Sequence, residues 1–211
     1  PIPEVQFSDF VWPSINQLIG EAARARYGSN GQLTVPMVVR IPYGGGIRGG
    51  LYHSQNVESF FFHVPGLKVV SPGTPYDAKG LLKSAIRDDN LVIFLEHKKS
   101  YRLVRGEVPD EEYILPIGPA DIKRAGTNLT VVSYGLMLHH CLEAADILAN
   151  EDLDVEVVDL RTLRPLDKDT IINSVKKTGK LLIVHEDNLT NGPGAEIAAI
   201  VADRYFEDLD G

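Results

Sequence analysis

The stretch VPMVVRIPYGGGIRGGLYHSQ, residues 35–55, passes from a β-branched run into five glycines within seven positions and closes on His53, which is flanked by Tyr52, Ser54 and Gln55. Residues 35–41 read as a buried strand. Glycine costs about 0.5–1 kcal/mol relative to alanine in regular structure, so the run that follows marks a loop of special geometry. A strand ending in such a loop delivers it to the carboxyl edge of a parallel sheet, where open α/β folds bind their ligands. A histidine placed there serves as general acid or base near neutral pH. The competing reading is a plain turn with a surface histidine. No Gly-Lys-Ser/Thr follows the glycines and no amphipathic helix opens after them, which removes a P-loop and a dinucleotide fingerprint.

Working outward, EVQFSDF (4–10) alternates in strand fashion, and PSINQLIGEAARARY (13–27) places Ile15, Leu18, Ile19 and Ala22 on one helical face. Downstream, 67–70 reads as a strand. Thr74, Pro75 and Asp77 supply a cap, a first-position proline and an acidic third residue for the helix AKGLLKSAI, and LVIFLE is the next strand. Strands alternating with helices imply a parallel sheet with right-handed crossovers. Residues 97–119 are charged, carry three prolines and lack a period, as a linker or crossing arm would. The alternation then resumes through LTVVSY, a helix in HHCLEAADILAN, VEVVDL, a helix over 167–177, LLIVHE and a helix in GAEIAAIVADRYF. The fold class is α/β, with two doubly wound units. The expected division is 1–105, a linker over 106–122, and 123–211.

With 211 residues, 44% of them hydrophobic, the chain has enough apolar material for a substantial core. A net charge of −8 argues against nucleic-acid or anionic-membrane partners. The single cysteine, Cys141, allows no internal disulfide and fits a reducing compartment. No apolar run nears the roughly 20 residues that span a bilayer. The chain opens on Pro1-Ile2-Pro3 without an initiating methionine and reads as an excerpt of something longer.

The other histidines are weaker candidates. His139 and His140 fall early in a helix, while His63 and His97 read as structural. His185, at a strand end, is second to His53, with an edge residue at a subunit contact as its alternative. No CxxC, HExxH or aspartate-rich loop points to a transition metal or calcium, and no Gly-x-Ser-x-Gly elbow is present. The last carbonyls of the helix in AKGLLKSAIRDDN, with Asp88 and Asn90 beside them, can either hold a monovalent cation or form an ordinary capped end.

Taken together and in order, EVQFSDF, VPMVVRIPYGGGIRGGLYHSQ, PGLKVVSPGTPYDAKGLLKSAIRDDN, VVDLRTLRPLD and KTGKLLIVHE resemble the beta subunit of the decarboxylase component of 2-oxo acid dehydrogenase complexes. This is a thiamine-diphosphate-dependent, transketolase-like family. The resemblance implies a pyrimidine-binding domain followed by a transketolase C-terminal domain, both incomplete at the chain ends. It also implies an α2β2 heterotetramer in which the alpha subunit grips the diphosphate and its magnesium while this subunit holds the aminopyrimidine. By the same resemblance His53 is the catalytic histidine that positions the 2-oxo acid and assists acyl transfer. Phe10 stacks on the aminopyrimidine with Gln6 beside it. Met37, Ala85, Ile86, Asp88 and Asn90 give mainly backbone oxygens to a potassium ion.

The implied reaction is oxidative decarboxylation of a 2-oxo acid with acyl transfer to the lipoyl-lysine of an acyltransferase partner. PYGGG, GLYHSQ and KSYR resemble the branched-chain (2-oxoisovalerate) enzymes more than those acting on pyruvate. A pyruvate or acetoin dehydrogenase beta subunit is the alternative enzyme, and a non-catalytic α/β interaction module is the alternative of another class. The implied compartment is the cytoplasm in a bacterium and the mitochondrial matrix in a eukaryote. The family's activating glutamate is expected upstream of Pro1, because Glu4 does not match it, and the family continues past Leu209. This chain alone is therefore expected to be inactive.

Overall fold

Thr74 closes its side chain on the first turn of helix α3 (Pro75–Ile86). Its Oγ1 accepts the Asp77 N–H at 3.1 Å and donates to Asp77 Oδ2 at 2.6 Å. Reciprocal capping and the first-position proline fix this start as the sequence predicts. In the computed structural model, which describes residues 1–210, such helices connect the strands of two four-stranded sheets.

The first sheet contains β1 (Val38–Tyr43), β2 (Lys68–Val70), β3 (Val92–His97) and β7 (Thr162–Arg164), in the order β1-β3-β2-β7. The second contains β4 (Asp121–Arg124), β5 (Leu129–Ser133), β6 (Val155–Asp159) and β8 (Leu181–Val184), in the order β4-β6-β5-β8. Val92, Ile93, Phe94 and Leu95 are all buried, as is the whole of β6. Strands covered on both faces need no polar alternation. Around the sheets lie α1 (Ala23–Gly28), α2 (Glu58–Phe62), α4 (Ser100–Leu103), α5 (Met137–Ala149), α6 (Lys168–Thr178) and α7 (Pro193–Arg204). Among the described residues no helix is long and apolar enough to cross a membrane.

The two sheets are not wholly parallel. Both β7 on β2 and β4 on β6 run antiparallel at a sheet edge, where a strand can be added without a crossover helix. Strand β7 comes from the second half of the chain, within the RTLRPLD stretch, and β4 opens at Asp121, inside the stretch read as linker. The halves are also tied by charge. The buried Asp77 of α3 accepts from Lys123 at 2.8 Å and from Arg161 at 3.3 Å.

EVQFSDF is not a regular strand. Residues near Glu4 bridge to Arg40 of β1, but the chain then turns into a 3-10 turn at Ser8–Phe10. The alternation misleads because Ser8 and Asp9 go in while Phe10 stays out. Ser8 is buried with its Oγ donating to the Gln55 carbonyl at 2.8 Å, Asp9 is buried, and Phe10 is 49% exposed. The helix expected over 13–27 begins as a 3-10 turn, continues as a π-helical stretch (Asn16–Ala22) and ends as α1. Leu18 is its buried anchor, with Ile15, Ile19 and Ala22 packed on the same core.

Candidate functional site

Three strand ends converge. β1 and β3 are parallel neighbours, so Tyr43 and His97 stand side by side at the carboxyl edge of the first sheet. The end of β8 brings His185, Glu186 and Asp187 from the second sheet to the same place: Glu186 meets Gly45 and His97, and Asp187 meets Ser59.

The glycine loop leaves this edge and returns to it. Its neck is closed by the Gly44 N–H donating to the Gln55 carbonyl at 3.0 Å, the same oxygen that accepts from Ser8. Gly44 has φ +85°, and a β-carbon there would lie 2.1 Å from His97 Nε2, so no other residue fits. For Gly44 the neighbour that requires glycine is His97; Gly49 is the one against His53, where a β-carbon would come within 2.5 Å of the His53 Cβ.

His53 ends a 3-10 turn, Leu51–His53. Its ring meets Phe7 edge-on at 5.0 Å and Phe10 at 6.1 Å between centroids. Its Nδ1 is buried with no hydrogen-bond partner. An unpaired buried ring nitrogen is costly unless another group completes it. Gln6 is exposed, one residue before Phe7.

Behind the loop the polar atoms are matched more fully. Glu186 Oε1 accepts the Gly45 N–H at 2.6 Å and Oε2 pairs with His97 Nε2 at 2.6 Å. His97 Nδ1 accepts the Lys99 N–H at 3.3 Å, so the ring proton sits on Nε2 and is donated to Glu186. The His97 hydrogen bond, helped by the Gly45 N–H, holds the Glu186 carboxyl below its usual range despite burial. The neighbouring Glu58 is fully buried and accepts the Val57 N–H at 2.8 Å and the Tyr134 hydroxyl at 3.3 Å. Burial, and then the nearby Asp187, push its carboxyl up to about 8.

Lys98 is buried and its ammonium has no acceptor within hydrogen-bond reach. It lies 5.2 Å over the Phe7 ring and 4.0 Å from Asp9 Oδ2. Burial lowers its pKa, opposed by Asp9 and Glu186. His185 stacks on Tyr134 at 6.3 Å with its Nδ1 unpartnered and buried, and burial lowers its pKa.

The residues expected to hold potassium lie at the opposite end of the first sheet. Val92 N–H donates to Met37 O at 2.9 Å, and Asp88 N–H donates to Ala85 O at 3.2 Å. One Asp88 carboxylate oxygen accepts from Lys68 and the other from Asn90 N–H and Nδ2 at 2.9 and 3.0 Å. A cation here would rely on the free lone pairs of carbonyls, since the Asp88 carboxylate is already occupied.

The family resemblance named His53 and Phe10, whose rings lie 6.1 Å apart in the structure; Phe7, Lys98 and Glu186 were passed over and His97 was read as structural. The available signal was position: HKK follows LVIFLE and HE follows LLIV, each at the end of a predicted strand.

Residues 1–104 match the family model "Transketolase, pyrimidine binding domain", and residues 118–211 match "Transketolase, C-terminal domain". A solved structure described as "Split gene transketolase, inactive beta4 tetramer" superposes with a TM-score of 0.77 over 97% of this chain and 63% of its own, at 22% identity. The chain belongs to the transketolase family. Its sequence is similar to beta subunits of 2-oxo acid and acetoin dehydrogenases. It is 54% identical over 210 residues to the 2-oxoisovalerate dehydrogenase subunit beta of Bacillus subtilis (strain 168). It is 48% identical over 210 residues to the pyruvate dehydrogenase E1 component subunit beta of Acholeplasma laidlawii. Identity is also 48%, over 209 residues, to the acetoin:2,6-dichlorophenolindophenol oxidoreductase subunit beta of Cupriavidus necator (strain ATCC 17699). These alignments cover 99–100% of this chain but 62–64% of each relative.

Proposed function

We propose that this chain is the core of the beta subunit of a thiamine-diphosphate-dependent 2-oxo acid dehydrogenase, acting on a branched-chain 2-oxo acid and passing the acyl group to a lipoyl-lysine. The observation that carries the reading is His53, whose ring meets Phe7 and Phe10 edge-on beyond the carboxyl edge of the first sheet and whose Nδ1 has no hydrogen-bond partner. The 54% identity to a 2-oxoisovalerate dehydrogenase subunit favours the branched-chain substrate.

The residues present suit the cofactor. Phe10 offers a half-exposed ring for an aminopyrimidine to lie against, beside the His53 ring. Thiamine diphosphate, when bound, supplies the electron sink for decarboxylation. The protein's part is positional and protonic. Phe7 and Phe10 fix the His53 ring plane, and the imidazole holds or delivers a proton at the carboxyl end of the 2-oxo acid and, later, at the departing lipoyl sulfur. An alpha subunit in an α2β2 assembly supplies the diphosphate and magnesium contacts in this reading. Potassium on the carbonyls of Met37, Ala85, Ile86, Asp88 and Asn90 belongs to the same proposal, and a melting temperature unchanged among potassium, sodium and choline buffers would refute it.

The test is a thiamine diphosphate titration of the full-length subunit with and without its alpha subunit, followed by rates on 3-methyl-2-oxobutanoate, pyruvate and acetoin. Binding only in the mixture, with the branched-chain acid as the best substrate, is expected. A faster rate on pyruvate or acetoin would reassign the substrate, and absence of binding in both conditions would leave an interaction module.

A further inference from the structure

We infer that Glu186 and His97 are positioning residues that hold the glycine loop, and through it His53, from the second sheet. This rests on the role proposed for His53. Each oxygen of the Glu186 carboxylate has one strong donor, the Gly45 N–H and His97 Nε2–H, both at 2.6 Å. His97 is in turn fixed from three sides. Lys99 N–H donates to its Nδ1, Tyr43 packs edge-on at 5.2 Å, and Gly44 lies so close that a β-carbon there would overlap the ring. The clamp therefore grips the loop one residue inside its neck. A β-carbon on Gly45 would lie 3.8 Å from the Ser54 Cβ, which places the gripped peptide against the residue that follows His53.

A carboxylate is needed at 186 because both partners are donors. A glutamine can accept from only one of them and turns its NH2 toward the other. His97 can meet that NH2 only by moving its ring proton to Nδ1, which then faces the Lys99 N–H. A donor–donor encounter results in either case, and the loop shifts. Displacement of a catalytic group by about 1 Å can cost 10²-fold in rate.

The experiment uses the full-length subunit assembled with its alpha partner. Glu186→Gln is expected to lower kcat for decarboxylation, followed with an artificial electron acceptor, by about 10²-fold. KM should stay unchanged, and hydrogen exchange of a peptide spanning 43–50 should become faster. In a His53→Ala background the same change should cost nothing further, since the clamp acts through His53. His97→Ala should reproduce the loss, and His97→Gln, which keeps a donor near the Nε2 position, should recover most of it. The histidine pair carries the test alone if Glu186→Gln does not assemble. Losses that multiply with His53→Ala, or loop exchange identical to wild type, would overturn the inference. If His53→Ala is itself fully active, the proposed function fails at that residue, while loop exchange still decides whether the clamp exists.

Discussion

The glycine loop has two sides, and they differ in how completely their polar atoms are paired. On the rim, His53 Nδ1 has no hydrogen-bond partner, the Lys98 ammonium has only the Asp9 carboxylate at 4.0 Å and the Phe7 ring, and Phe10, Leu51 and Tyr52 are exposed. In the seam between the sheets, apart from the unpartnered His185 Nδ1, Glu186 uses both oxygens, His97 uses both nitrogens, and Glu58 is enclosed with two donors of its own. Buried polar groups that are satisfied rigidify a structure, whereas unsatisfied ones persist when something else completes them. The difference separates the part of the site that holds from the part that receives.

The largest expected effect breaks the receiving side. His53→Ala should lower overall turnover of the assembled enzyme by about 10²–10⁴-fold while assembly and cofactor binding persist. Decarboxylation and acyl transfer should be assayed separately, with acyl transfer suffering at least as much. Near-normal rates in both would make the rim an ordinary surface.

Gly44→Ala attacks the holding side. Its β-carbon overlaps the His97 ring and its φ is positive, so a loss of about 1–3 kcal/mol is expected from overpacking alone, before backbone strain. Chemical denaturation measures it. A variant as stable as the parent would mean that the seam yields easily.

Glu58 sharpens the comparison through pH. Its folded-state pKa, about 8, lies above the ordinary 4.5, so the folded protein keeps this proton longer than the unfolded chain. The stability this contributes is present below pH 4.5 and is lost as pH rises toward 8, by about 1.4 kcal/mol per pH unit. Glu58→Gln stays neutral, so its stability relative to the parent should climb between pH 5 and 8. Asp159, with a folded-state pKa raised to about 7 by burial and then by Asp77, leaves a slope of the same sign in both proteins. Parallel stability curves would show that Glu58 is ionised in the folded state.

The smallest effect is Phe10→Ala. A half-exposed ring has little packing to lose, so the cofactor-free protein should change by no more than about 0.5 kcal/mol. Thiamine diphosphate affinity should fall by on the order of tenfold as about 1 kcal/mol of aromatic contact goes. A large drop in the cofactor-free melting temperature would place Phe10 in the core instead.

The rim was legible in the sequence because its signals are local: a β-branched run, glycines, and a histidine within 21 residues. The strand and its edge position followed from the β-branched run and the cap at Thr74 from its spacing, while the choice of His53 over a plain turn with a surface histidine came from the family resemblance. The seam was hidden because His97 and Glu186 are 89 positions apart and meet only when two sheets have packed. Local alternation also failed at EVQFSDF, where Ser8 and Asp9 go inward because the returning loop offers them Gln55 O and Ser54 N–H. No window around residues 4–10 contains those partners.

Strand β7 bears on how such a protein can change over evolutionary time. Although the two halves match separate family models, the second half donates the edge strand that covers β2 of the first. Severing the chain at the arm between them would bare β2 as an unpaired edge, the kind of surface on which chains aggregate. Swapping one half for a distant relative would require the new β7 to fit an unfamiliar neighbour. This pairing predicts that the halves vary as a matched pair, with drift in RTLRP answerable to drift in KVV.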